Sequence, residues 1–156
     1  MKGKRLLFFA SWILLLVVAA ATAYSSLVST YVAYSGRDDR IGQLTFDQIR
    51  AMGAEDAVKS IQGRRATAAT WALAYAILFG WVVLFPYRRG ERWAWWAVLV
   101  SLGLSQMLSL ARAPLLGTTP GAGTAAALLA FVLLGLLAGA PHMFIRYPPV
   151  ADSALK

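Results

Sequence analysis

Cysteine is absent from this 156-residue chain, only 14% of its residues are charged, and it has a single histidine. Without cysteine there is no disulfide staple, no thiolate metal site, no haem attachment through C-x-x-C-H and no thiol redox pair. The histidine, His142, follows Pro141 at the end of an apolar run and has no second ligand with which to form a metal site. No G-x-S-x-G context surrounds any serine. The seven acids, Asp38, Asp39, Asp47, Glu55, Asp56, Glu91 and Asp152, all lie outside the long apolar runs, and no Lys or His falls within them. Proton relays and ion-coupled carriers place an ionisable group inside the membrane. The lack of one argues against a pump or carrier of that kind, and nothing implies a cofactor.

What is abundant is apolar surface, at 59% of residues, against about half in a soluble domain. The excess is concentrated in four runs, at residues 6–33, 66–85, 93–111 and 124–140. Each is long enough to cross most of a hydrocarbon layer of about 30 Å at about 1.5 Å per residue. No run alternates with period two, and backbone groups in lipid must be satisfied within their own element, so the expected spans are helices. The fold expected is an all-α single domain, a four-transmembrane-helix bundle.

The first run opens like a signal peptide, with Lys2, Lys4 and Arg5 before it and Ala21-Thr22-Ala23 as a cleavage-like site. The apolar pattern continues through Leu27, Val28, Tyr31 and Val32, so it is read as a retained span. Pro86, Pro114 and Pro141 are read as following or stopping the other three. The net charge of +8 is carried by bases flanking the spans, which suits anionic headgroups and topology rather than nucleic acid. With both termini cytoplasmic, eight of the fifteen bases lie inside, mostly in short segments tight against the spans. The expected location is therefore a bacterial inner membrane, with N- and C-termini in.

The first loop has structure of its own. Ser35 to Arg40, including Asp38-Asp39, reads as a solvated turn. Thr45 and Gln48 then form a capping box, with Leu44 and Ile49 at hydrophobic-staple positions. Apolar Phe46, Ile49, Met52, Ala57, Val58 and Ile61 recur on one side, and Gly63 is a candidate C-cap. This predicts an additional amphipathic helix over residues 46–62, lying on the outer membrane face or across the bundle mouth.

Small residues recur every four positions: Ala68, Ala72, Ala76 and Gly80; Ala97, Ser101, Ser105, Ser109 and Ala113; Gly135 and Gly139. Such stripes allow close backbone approach and a tight bundle. Tyr87, Trp93, Trp95 and Trp96 beside the basic turn read as an interfacial belt. The outer part of span one is rich in hydroxyls. If it meets span three, Tyr31, Gln106, Ser109 and Arg112 would line a small polar pocket able to hold an anionic or carbonyl-bearing ligand.

The order of parts and the decapeptide Tyr87-Arg88-Arg89-Gly90-Glu91-Arg92-Trp93-Ala94-Trp95-Trp96 resemble small bacterial four-helix membrane proteins of the DoxX-like or uncharacterised kind. The resemblance implies no catalytic residues; it implies an accessory role beside membrane redox complexes. The leading expectation is a non-catalytic protein acting by association, as accessory subunit or scaffold, with membrane lipids and protein partners or further copies around it. The alternative is a binder or carrier of a small hydrophobic or lipid-like molecule.

Overall fold

The computed structural model describes residues 2–35, 40–41, 44–117 and 121–144. Most of the expected polar turn, including Asp38-Asp39, and the tail with Arg146 and Lys156 lie outside them. Helix α1 spans Lys2–Tyr34. A two-residue hairpin, β1 (Arg40–Ile41) with antiparallel β2 (Leu44–Thr45), leads into the short helix α2, Phe46–Ala51. Helix α3 (Glu55–Val82) runs into a π-helical turn at Val83–Tyr87. Helix α4 (Arg92–Val98) passes through a second π turn, Leu99–Gly103, into α5, Leu104–Leu116. Helix α6 is Ala122–Phe144. Among the described residues four helices are long and apolar enough to cross a membrane: Arg5–Tyr34, Glu55–Tyr87, Arg92–Leu116 and Ala122–Phe144.

The prolines do not end their helices. Pro86, Pro114 and Pro141 all lie inside helical segments. Pro86 has no N–H to bond the carbonyl four residues back, and the chain answers by widening the turn. Arg88 N then donates to Val83 O at 3.2 Å and Glu91 N to Pro86 O at 3.0 Å, both five residues back.

The capping box forms as the sequence predicts. Gln48 N donates to Thr45 Oγ1 at 3.2 Å, and Thr45 N donates to Gln48 Oε1 at 2.9 Å. The helix it starts is shorter than residues 46–62, because it is capped at Met52 and the chain turns at Gly53, not at Gly63. Gly53 takes φ of +76°, its N–H bonds Arg50 O, and Ala54 N–H bonds Ile49 O, which is the Schellman pattern. The segment after it, with Glu55 and Asp56 favourably placed at a helix N-terminus, joins the second span. At about 1.5 Å per residue, the helix from Glu55 to Tyr87 is about 50 Å long, well beyond a hydrocarbon layer of about 30 Å. Phe46 and Val58 are both buried and hold the corner where α2 packs on α3.

The core is concentrated towards one end. Phe8, Leu15, Val18, Phe79, Val83, Tyr87, Ala94, Val98, Leu102, Val132, Leu136 and Met143 pack together. They come from the first half of α1, the end of α3, the start of the third span and the second half of α6. The other end is thinner: α1 and α3 meet there through Ser26, Ala33, Ala66 and Ala69, and α5 buries no side chain.

Candidate functional site

A fully buried polar cluster joins three helices inside that core. Ser11 on α1 and Tyr87 at the end of the first π turn are both 0% exposed. Ser11 Oγ donates to Gly135 O at 2.6 Å and lies 2.7 Å from Tyr87 Oη. Because the serine proton goes to the carbonyl, the tyrosine donates to the serine, giving the chain Tyr87 to Ser11 to Gly135. Tyr87 Oη also stands 3.5 Å from Gly135 O. Each buried polar atom in the set has a partner, as burial in a low-dielectric interior requires.

Glycine makes this approach possible. At Gly139 a Cβ would fall on Tyr87 Oη and stand 2.7 Å from Ser11 Oγ, and one at Gly135 would meet Leu15 side-chain carbons at 3.0 Å. The Gly135-x-x-x-Gly139 stripe therefore serves the close packing expected of it, and its neighbour is the α1 latch residue. Reading Tyr87 as part of an interfacial belt is corrected: it continues the buried face of Phe79 and Val83 into the core, while Trp93 and Trp96 remain exposed at 56% and 53%. Trp95 turns inward and donates Nε1–H to Leu136 O at 2.9 Å.

Around this latch the basic turn is pinned to the helix ends. Arg92 Nε donates to Met143 O at 3.0 Å, satisfying one of the carbonyls left open at the end of α6. Its guanidinium lies 5.7 Å from the Phe144 ring centroid, and that of Arg88 lies 5.2 Å from Trp12. Glu91 accepts from Trp93 Nε1 at 2.6 Å. His142 stacks on Phe8 with centroids 4.1 Å apart and packs against Gly90, where the turn needs φ of +78°. Chemically this is a clamp. Its serine and tyrosine hydroxyls are engaged with each other and a carbonyl, and among the described residues no three His, Asp or Glu side chains gather.

The residues expected to line an outer pocket are placed differently from one another. Gln106 and Ser109 are half-buried on α5 and Arg112 is exposed there, its Nε donating to Ser109 O at 3.3 Å. Tyr31 lies on α1, 59% exposed, and the extended packing of α1 is with α3 and α6. The hydroxyls of span one bond mostly to their own helix: Thr22 to Val18 O, Ser25 and Ser26 to Thr22 O, and Thr30 to Ser26 O. Ser29 reaches across, but its partner is Arg65 of α3, whose Nε donates to it at 3.2 Å.

The small-residue stripes of spans two and three are only partly inside. Ala76 is buried and Ala68 exposed, while Ser101 and Ser105 face outward. In the third span the buried line runs instead through Ala94, Val98 and Leu102, which sets in before the π turn at Leu99–Gly103. Two buried polar atoms on α3, Gln62 Nε2 and Tyr75 Oη, have no hydrogen-bond partner. Comparison of the chain with protein-family models, curated proteins and solved structures yields no match.

Proposed function

We propose that the protein works by lateral association in a bacterial inner membrane, as a non-catalytic accessory subunit or scaffold of a larger complex. One observation carries the reading: α5 buries none of its own side chains, and Ser101 and Ser105 stand on the outside beside exposed Leu104, Met107 and Leu108. Lipid offers helices no hydrophobic drive to associate, so close packing and interhelical hydrogen bonds decide which faces are covered. The small side chains of Ser105 and of Ser101, whose hydroxyl is taken by Ala97 O, leave room for a neighbouring helix to approach closely. In this reading both termini and the basic turn are cytoplasmic. Helix α2 and the first turns of α3 then lie along the outer headgroups. The DoxX-like resemblance supports an accessory role by analogy.

The test is purification in mild detergent, with Ser105→Leu as the perturbed form. Stoichiometric partners or a defined homo-oligomer should accompany the native chain and be lost from the variant, whose new side chain points away from its own core. A lone monomer from native membranes, or a complex indifferent to Ser105→Leu, would refute the proposal.

A second reading, binding of a small hydrophobic or lipid-like molecule near Tyr31, Gln106, Ser109 and Arg112, draws support from Arg112. Its guanidinium comes within 3.9 Å of the position of a Cβ on Gly121, and no carboxylate pairs with it among the described residues. Arg112→Ala should abolish retention of such a ligand; retention unchanged in the variant would remove that site.

A further inference from the structure

An apolar groove of about 230 Å³ runs between α1 and α3, lined by Leu16, Ala19, Ala20, Ala23, Ala76, Ile77, Gly80, Trp81 and Leu84. Its floor is narrow because small residues meet there, with a Cβ on Gly80 reaching within 3.9 Å of Ala19 Cβ. One wall is raised by Trp81, stacked on Phe85 at 4.8 Å. On α1, Trp12 lies one turn below Leu16. On the other side Arg88 follows Leu84 through the π turn. The two meet, with the Arg88 guanidinium 5.2 Å from the Trp12 ring centroid. The groove thus ends on a cation held over an indole. Among the described residues that cation has no carboxylate partner, since the ion pairs are Arg50–Asp47 and Lys59–Glu55.

We propose that this groove and Arg88 form a seat for one anionic phospholipid of the leaflet facing the N-terminus. Its phosphate would bond Arg88, and one acyl chain would lie along the Ala/Gly floor. Two observations select a lipid over a partner helix. From Trp12 to Ala23 is about 16 Å along the helix, close to half of a hydrocarbon layer of about 30 Å. A groove that stops at mid-membrane fits one leaflet's chain, whereas a spanning helix needs a track through both leaflets. The charge at its mouth is also complementary to a phosphate. Arginine binds phosphate through a planar fork that stacking on Trp12 leaves free at its edge. Basic positions between helices on the cytoplasmic side are established headgroup sites in general.

The seat is separate from the association face on α4 and α5 and from Arg112, and its test separates them. The purified chain is exchanged into phosphatidylcholine with a minor fraction of phosphatidylglycerol of identical chains, and bound lipid is counted by native mass spectrometry. The native chain should retain one phosphatidylglycerol in preference to phosphatidylcholine, and added inorganic phosphate should not displace it. Arg88→Gln should lower that preference tenfold or more, while Arg89→Gln leaves it intact. Gly80→Leu should fill the groove and lower retention of both lipids. Ala20→Leu, at an exposed position on the groove wall, does the same without entering the core and serves if Gly80→Leu misfolds. Equal losses from Arg88→Gln and Arg89→Gln would reduce the effect to local charge density and overturn the seat. So would displacement by free phosphate, or a dimer that Ala20→Leu dissociates.

Discussion

Gly139→Ala adds one methyl group where the structure has no room for it. The new Cβ falls on Tyr87 Oη and within 2.7 Å of Ser11 Oγ and 3.2 Å of Tyr87 Cζ. Both side chains are 0% exposed, so neither can swing into a cavity or into lipid. Overpacking of this kind costs about 1–3 kcal/mol, and displacing the tyrosine forfeits its bond to Ser11, worth about 1 kcal/mol. The expected destabilisation is therefore roughly 2–4 kcal/mol, read from unfolding by sodium dodecyl sulfate titrated into mild-detergent micelles. Tyr87→Phe alone should cost no more than about 1 kcal/mol, because Ser11 keeps Gly135 O as acceptor. Combined with Gly139→Ala it removes the closest clash, so the double variant should be more stable than the sum of the singles by about 1 kcal/mol or more. Recovery is partial, since Ser11 Oγ stays close. Gly63→Ala supplies the control: it lies within α3 with nothing within 4 Å, and should stabilise by about 0.5–1 kcal/mol. Additivity of Gly139→Ala and Tyr87→Phe within about 0.5 kcal/mol would refute the latch.

Other outcomes follow from single positions. Tyr75→Phe removes a buried hydroxyl that faces Ser101 without a bond of ordinary length and should leave stability unchanged or raise it; a loss above about 1 kcal/mol would show that the two hydroxyls are bonded. Gly53→Ala places a Cβ at φ of +76° and should cost about 1 kcal/mol, with helix content preserved by circular dichroism. If it instead stabilises the chain, α2 and α3 are one continuous helix. Trp95→Phe frees Leu136 O and should destabilise by about 1–2 kcal/mol in the same titration.

Composition makes the four helices legible, because long uncharged runs leave the backbone no other solution in lipid. Their ends are less so. Proline is a reliable stop where water competes for the freed carbonyl, but at Pro86 the helix widens and continues. Gly53 and Gly63 look alike in an amphipathic pattern, and the chain turns at the first, where α2 packs on α3 with Phe46 and Val58 both buried. The glycine pair at 135 and 139 signals a close approach without saying to what. Its answer, Ser11 and Tyr87, lies 124 and 48 positions from Gly135. Tyr87 beside three arginines and three tryptophans has the local context of an interfacial residue, yet it continues the buried face of Ala76, Phe79 and Val83 at ordinary helical spacing. The hydroxyls of span one drew attention to the opposite end, yet most are satisfied by their own helix.

In the proposed four-span bundle the N-terminus and basic turn share one membrane face, and the α2–α3 corner and the α5 end share the other. Since the chain has no native cysteine, four single substitutions test it directly: Gly3→Cys, Arg89→Cys, Glu55→Cys and Leu116→Cys, all at exposed positions. In intact cells a membrane-impermeant thiol reagent should label the cysteines at 55 and 116 and reach those at 3 and 89 only after permeabilisation. Labelling that splits either pair, or reaches all four from one side, would contradict four membrane crossings.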